Sequence, residues 1–289
     1  MKVLRTAAEM RALRDELRGQ PLTVGLVPTM GYLHQGHDSL LAAARAECDV
    51  VVMSLFVNPT QFRPGEDLST YPRDEERDFA IAEATGVDYV YAPQPDDVYP
   101  SGFATKVEVE GLTEVLCGSE TSRGPGHFRG VTTIVAKLLN AVDPDFAYFG
   151  QKDAQQATVI RRMAEDLEFR AKIVVLPTVR EPDGLAMSSR NAYLSPQARE
   201  RATAIWASLQ ETEAVFAEAG LEPALEAGRR HLELAGITPE YFEARYPGTL
   251  DPADGRSGDP ILVAVAAKVD GTRLIDNILL EPEHEGSTP

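Results

Sequence analysis

The chain has 289 residues, 43% of them hydrophobic, and 28 Lys and Arg against 45 Asp and Glu give a formal net charge of −17. That supplies core for one large domain or two ordinary ones, while an acidic balance with no basic stripe excludes broad nucleic-acid binding. The two cysteines, Cys48 and Cys117, stand in no metal-ligand spacing, segment 1–14 is polar with no signal-peptide core, and no run approaches the ~18 apolar residues of a membrane span. The expected setting is therefore the cytoplasm, with no membrane partner.

Thr6-Ala7-Ala8-Glu9 is a capping-box pattern that opens a first helix running to about Arg18, which Gly19 and Pro21 end. Residues 22–27 and 50–57 are continuous apolar runs, as expected of parallel strands buried on both faces. Between them lies Pro28-Thr29-Met30-Gly31-Tyr32-Leu33-His34-Gln35-Gly36-His37-Asp38-Ser39-Leu40, followed by the helical apolar spacing of Leu40, Leu41, Ala44 and Cys48. A strand, a tight turn and a helix start make a βαβ unit whose free N–H groups and helix dipole face an anion. His34 and His37 fall on one side of the first helical turn, where imidazoles can donate to phosphate oxygens.

Asn58 and Gln61 follow the second strand in the loop Asn58-Pro59-Thr60-Gln61-Phe62. Amides bind hydroxyls and carboxylates without adding charge, although ordinary turn residues around Pro59 would look the same. A charged helix at about 74–85 and a strand at 87–92 come next. Residues 93–130 read as irregular, with a short strand at 106–109. A helix at 131–142, a strand at 145–149, a helix at 153–167 and a strand at 171–176 complete five strands alternating with helices. The expected fold class is α/β, a doubly wound, Rossmann-like parallel sheet whose ligand crevice lies outside the strands' C-terminal ends.

Gly150-Gln151-Lys152-Asp153-Ala154-Gln155-Gln156 leaves the fourth of these strands and opens a helix. Lys152 is placed to offer a point charge to a phosphate, Asp153 could serve only as a helix cap, and Gln156 lies about one turn further on. Met187-Ser188-Ser189-Arg190-Asn191 offers hydroxyls, amides and a guanidinium after the last strand, and could equally be a plain interdomain loop. No Walker A tripeptide and no Gly-x-Gly-x-x-Gly after the first strand occur. From Ser195 two long helices, at about 196–219 and 223–234, precede strand-like stretches at 241–246, 261–269 and 272–280, which reads as a smaller α+β domain with a loose tail at 281–289. The division expected is 1–183 and 184–289.

Taken together, PTMGYLHQGHDSL at 28–40, FVNPTQF at 56–62, YPRD at 71–74, GHFRGVTTIVAKLLNAVDPDFAYFGQKDAQQ at 126–156 and GLAMSSRNAYLS at 184–195 resemble the pantothenate synthetase (pantoate–β-alanine ligase) family. HxGH alone marks only the nucleotidylyltransferase superfamily; the set in this order is specific, and it spans nearly the whole chain. The resemblance implies ATP-dependent condensation of (R)-pantoate with β-alanine through a pantoyl adenylate, giving pantothenate, AMP and pyrophosphate. It implies an ATP site of Met30, Gly31, His34, His37, Gly150, Lys152, Asp153, Val179, Met187, Ser188, Ser189 and Arg190, with Mg²⁺ accompanying the triphosphate and no metal-ligand residue assigned. His37, His34 and Lys152 would be catalytic, Gln61 and Gln156 would hold pantoate with Gln61 also near β-alanine, and the assembly would be a homodimer.

One departure is local. The family pattern is Arg-Pro-Gly-His-Phe, whereas this chain reads Arg123-Gly124-Pro125-Gly126-His127-Phe128, which leaves Arg123 outside the expected site. Two rivals share part of the signal. Another HxGH nucleotidylyltransferase would need a basic pocket for a phosphorylated acceptor, and a non-catalytic module would bind ATP without turnover.

Overall fold

In the computed structural model, which describes residues 1–255 and 258–281, the chain forms two sheets. In chain order the elements are β1 (Lys2–Leu4), α1 (Ala7–Leu17), β2 (Val24–Thr29), α2 (Gln35–Glu47), β3 (Val50–Leu55), α3 (Glu75–Ala84), β4 (Tyr89–Tyr91), α4 (Pro95–Val98) and α5 (Pro125–Val142). They continue with β5 (Phe146–Gly150), α6 (Ala154–Asp166), β6 (Lys172–Leu176), α7 (Pro196–Ala202), α8 (Ala204–Ala219), α9 (Leu221–Leu234), β7 (Pro239–Arg245), β8 (Ile261–Val269) and β9 (Thr272–Leu280). The larger sheet is parallel throughout, in the order β1-β4-β3-β2-β5-β6, and the smaller is antiparallel, β7-β8-β9. The α/β class with a smaller second sheet is borne out.

The apolar runs are continuous because both sheet faces are covered. Leu26, Val50 and Val52 pack into one cluster with α1 and α5, while Val27, Val51 and Met53 pack into another with Leu40, Leu41 and Ala44 of α2. Alternate strand residues point to opposite faces, so a strand covered twice is apolar at most positions, with Ser54 of β3 a buried polar exception. A third cluster joins α7 to α9 with the smaller sheet.

The first helix opens as its sequence dictates. Thr6 Oγ1 accepts from Glu9 N–H at 3.2 Å and Glu9 Oε2 accepts from Thr6 N–H at 2.9 Å, a reciprocal cap worth about 1 kcal/mol. Other expectations shift. A sixth strand, β1, was hidden in three residues ahead of that cap; it pairs only with β4, at the sheet's edge. The strand expected at 106–109 does not form. Its backbone is tied instead to α5, Val107 N–H donating to Thr133 Oγ1 and Val107 C=O accepting from Thr132 Oγ1. Side-chain hydroxyls thus do the work of a ladder.

The helix expected from 131 begins at Pro125, because Gly124 takes φ 73° and Pro125 is already set for a first helical turn. The single helix expected over 196–219 is two, α7 and α8, which meet at Thr203. Of the tail, residues 282–289 lie outside the described residues.

Strand order reverses between β2 and β5, and the two strands part there. Their pairing covers only Gly25↔Phe146 and Leu26↔Ala147, whereas β2 stays paired with β3 to Thr29↔Leu55 and β5 with β6 to Gly150↔Leu176. Pro28 has no N–H to donate, so the ladder loses a rung where the strands diverge. The opening lies at the C-terminal ends of the strands, the place where a doubly wound sheet holds its ligand.

Candidate functional site

A cavity of about 230 Å³ fills that opening, and it adjoins a second of about 920 Å³ that reaches the smaller sheet. Pro28, Thr29 and Met30 from β2 and the turn beyond it form one wall of the smaller cavity, and Tyr148, Phe149 and Gly150 from β5 form the other. His34, His37, Gln61, Lys152, Asp153, Gln156, Val179 and the run Met187 to Arg190 are also in its lining. Five separated stretches of sequence therefore meet in one place.

Gly31 does not line the cavity. It sits behind the turn at φ 85°, where a Cβ would lie 2.8 Å from both Asp78 Oδ2 and Leu55 Cδ1. Only glycine fits that position. The next residue, Tyr32, is also left-handed at φ 53°. Asp78 of α3, only 1% exposed, pins this strained turn: Oδ2 accepts from Tyr32 N–H and Oδ1 from Leu33 N–H, both at 2.7 Å. Burial raises the Asp78 carboxyl pKa, and those two backbone donors oppose the rise.

The turn ends in a cap built from the histidines themselves. His34 is the N-cap of α2, its Nδ1 accepting from Gly36 N–H at 3.1 Å, and His37 Nδ1 accepts from His34 N–H at 3.3 Å. A neutral imidazole that accepts at Nδ1 carries its proton on Nε2. Both rings are held neutral. Burial lowers His34 to about 4, with Lys152 adding to the effect, and burial together with His34 and Lys152 drives His37 well below its ordinary value. The pair is thus two Nε2–H donors in the wall of a cavity that also holds a lysine. Lys152 Nζ stands 3.5 Å from Asp153 Oδ2.

Asn58 and Gln61 form a polar bracket. Asn58 Nδ2 donates to Gln61 Oε1 and to Gly130 C=O, each at 3.0 Å, while Gln61 Nε2 faces only the thioether of Met30 at 3.2 Å. Sulfur is a weak acceptor, so Gln61 keeps an amide donor for a ligand. Ser54 Oγ and Thr178 Oγ1, also in the lining, are buried without a hydrogen-bond partner among the described residues. Arg190 is engaged by Asp67, Nε to Oδ2 at 2.9 Å and Nη2 to Oδ1 at 3.1 Å.

Arg123 and His127, left outside the expected site, line the cavity as well. Gly124 leads into the helix six residues ahead of the expected start, and just before it stands Arg123. Its Nη1 donates to His127 Nε2 at 3.3 Å and its Nη2 to Glu66 Oε2 at 2.7 Å. His127 Nδ1 in turn donates to Gln61 C=O at 2.8 Å, and burial with Arg123 nearby lowers this imidazole to about 3. The signals for this pair were a glycine-rich basic stretch inside an acidic chain and, for His127, its place in the matching stretch at 126–156. Asp78 carried no signal, since its partners are backbone groups more than forty residues away.

Known proteins are similar to this chain in sequence and in fold. The family model described as pantoate-beta-alanine ligase matches residues 2–279. The pantothenate synthetase of Moorella thermoacetica is 50% identical over 284 residues, covering 97% of this chain and 99% of that protein. The crystal structure of pantothenate synthetase from Thermus thermophilus superposes with a TM-score of 0.90 at 45% identity, covering 98% of this chain and all of the other. A pantoate-beta-alanine ligase from Francisella tularensis, solved in complex with beta-gamma ATP and beta-alanine, gives a TM-score of 0.81 at 33% identity over 96% of this chain and 97% of its own.

Proposed function

The chain belongs to the pantoate–beta-alanine ligase family, and we propose that its paired histidine turn works as a neutral hydrogen-bond clamp on the triphosphate of ATP. The reaction is the joining of pantoate to β-alanine with cleavage of ATP to AMP and pyrophosphate. The observation that carries the reading of the site is the shared tautomer of His34 and His37: both rings accept at Nδ1 and keep Nε2–H, beside Lys152, at the sheet's switch point.

Pantoate supplies its own nucleophile. A carboxylate oxygen attacks the α-phosphorus, the bond from that phosphorus to the bridging oxygen breaks, and pyrophosphate leaves with the electron pair. The amine of β-alanine then attacks the acyl carbon, the acyl–oxygen bond breaks, AMP leaves, and the nitrogen gives up its proton to solvent. Charge grows on phosphate oxygens in the first step, and preorganised donors there lower the barrier. His34, His37 and Lys152 fill that role in this reading, and Met30, Gly150, Val179, Met187, Ser188 and Ser189 enclose the nucleotide. Gly31 acts through the shape of the turn. Arg190 joins the phosphates by exchanging its Asp67 partner. Gln61 and Gln156 hold pantoate.

Mg²⁺ accompanies the triphosphate as part of the substrate. Asp153, with 46% of its side chain exposed beside Lys152, is an oxygen donor suited to a hard cation that already carries phosphate and water. Residues 1–183 would hold ATP and pantoate, and 184–289 would contribute 187–190 to the cavity wall. The described residues contain no helix long and apolar enough to cross a membrane. We place the enzyme in the cytoplasm, as a homodimer. The test is release of AMP from ATP, pantoate and β-alanine together. Turnover of a phosphorylated acceptor such as nicotinamide mononucleotide instead of pantoate would favour the rival transferase.

A further inference from the structure

The smaller sheet reaches into the larger sheet's phosphate loop through one side chain. Asn277, on β9 and 5% exposed, donates from Nδ2 to Gln151 C=O at 2.9 Å and to Lys152 C=O at 3.0 Å. Its Oδ1 accepts from Gln151 Nε2 at 3.0 Å. Both N–H groups and the carbonyl of the carboxamide are thereby used, all on the two residues that lead into α6.

The neighbouring position fixes the next loop. Asp276, 2% exposed, receives Arg180 in a two-pronged pair, Nη1 to Oδ2 at 2.5 Å and Nη2 to Oδ1 at 3.0 Å, and the Arg180 guanidinium lies 3.4 Å from the ring centre of Trp206. Asp276 Oδ1 also accepts Asn277 N–H at 2.8 Å. One dipeptide of β9 therefore ties together the loop after β5, which carries Lys152, and the loop after β6, which leads to Met187 to Arg190.

Gln151–Asp153 is a single 3₁₀ turn, and its N-terminal Gly150 has no side-chain cap. A turn that short has little hydrogen bonding of its own. Its geometry is set from outside, and the carboxamide is the group that supplies two donors and one acceptor at once. We propose that Asn277 is a positioning residue for the reaction, holding the backbone of Lys152 so that its ammonium meets the triphosphate. The inference rests on the reading of Lys152 as a phosphate ligand.

The test is a double-mutant cycle on ATP affinity, measured by calorimetry with ATP itself on the full chain. Asn277→Ala should weaken ATP binding about tenfold in the wild-type background and less than twofold in Lys152→Ala. The KM for pantoate should stay within twofold while the rate of pantoate-dependent ATP–pyrophosphate exchange falls. An equal loss of ATP affinity in both backgrounds, or a lowered Tm with ATP affinity unchanged, would overturn the proposal. Should Asn277→Ala fail to fold, Asn277→Ser must show the same dependence on Lys152. If Lys152→Ala alone leaves ATP affinity and exchange unchanged, it is the phosphate reading of Lys152 that falls, a result distinct from additivity.

Discussion

His34 N–H donates to His37 Nδ1 at 3.3 Å, and the two imidazole rings stand 4.1 Å apart between centroids. The backbone of one histidine thus sets the tautomer of the other and leaves its Nε2 as donor. Replacing His37 by Ala should keep the fold and lower the rate of adenylate formation about 100-fold or more, the usual scale for loss of a preorganised donor to a developing oxyanion. Single-turnover release of pyrophosphate measures this. Near wild-type release would remove His37 from the mechanism.

The same burial makes stability depend on pH. His34 has a folded pKa of about 4 against an ordinary 6.5, so between those values the unfolded chain binds more protons than the folded one. Stability is therefore full above about pH 6.5 and falls as pH drops toward 4, by about 3 kcal/mol at the limit for this one group. His34→Asn keeps an N-cap acceptor but removes the titration. Thermal unfolding of this variant should lose less stability than wild type between pH 6.5 and 4.5. Parallel curves for the two proteins would show that His34 is not the group responsible.

Gly31 and Asp78 hold the turn from behind, so their replacement tests shape apart from chemistry. Gly31→Ala meets Asp78 and Leu55 at 2.8 Å in a left-handed backbone, and should cost about 1–3 kcal/mol of stability. Asp78→Asn, nearly isosteric, turns an amide group toward a backbone N–H and costs a similar 1–3 kcal/mol. Both should lower kcat well beyond any effect of lost folded protein. A variant with lowered Tm and unchanged kcat in the folded fraction would separate the turn's stability from its function.

Much of this was legible because it was local. The buried strands, the capping box at Thr6 and Glu9, and the strand–turn–helix around His34 and His37 each declare themselves within a few residues. What was missed depends on contacts across the chain. β1 is three residues long and exists through its pairing with β4. The stretch 106–109 has the composition of a strand, but its partners are hydroxyls of α5. Arg123 stands in the cavity wall held by His127 and Glu66, and Glu66 lies 57 residues away in the chain. Asp78 binds main-chain N–H groups and Asn277 donates to main-chain carbonyls, which carry no side-chain signature for a sequence to reveal.

The order of events is open to a direct check. The described site supplies histidines, amides, Lys152 and Arg190 around the cavity, and the nucleophile of the first step belongs to pantoate. ATP–pyrophosphate exchange should therefore proceed with pantoate and without β-alanine. Strict dependence of exchange on β-alanine would make a separate adenylation step untenable.

Selection of pantoate should fall to Gln61 and Gln156, and the two should differ in how they fail. Pantoate's carboxylate must stay free to attack phosphorus, and a cation clamped on it would stabilise the ground state more than the transition state. Neutral amides can hold the hydroxyls and orient the acid without that penalty. Gln61 Oε1 is already taken by Asn58, so Nε2 is what Gln61 offers a ligand. Gln61→Ala removes that donor and also leaves Asn58 Nδ2 with Gly130 C=O as its remaining partner, so it should cost both pantoate affinity and some stability, about 1–3 kcal/mol in each. Gln156, on the first turn of α6, is half-buried in the cavity wall and holds no hydrogen bond to another side chain among the described residues. Gln156→Ala should therefore weaken pantoate by a similar amount with Tm nearly unchanged. Separate titrations of ATP and pantoate on each variant, alongside thermal unfolding, decide the matter. Weakened pantoate with intact ATP binding is the expected result for both, and equal loss of the two ligands would mean general damage to the cavity, refuting the assignment of pantoate to these amides.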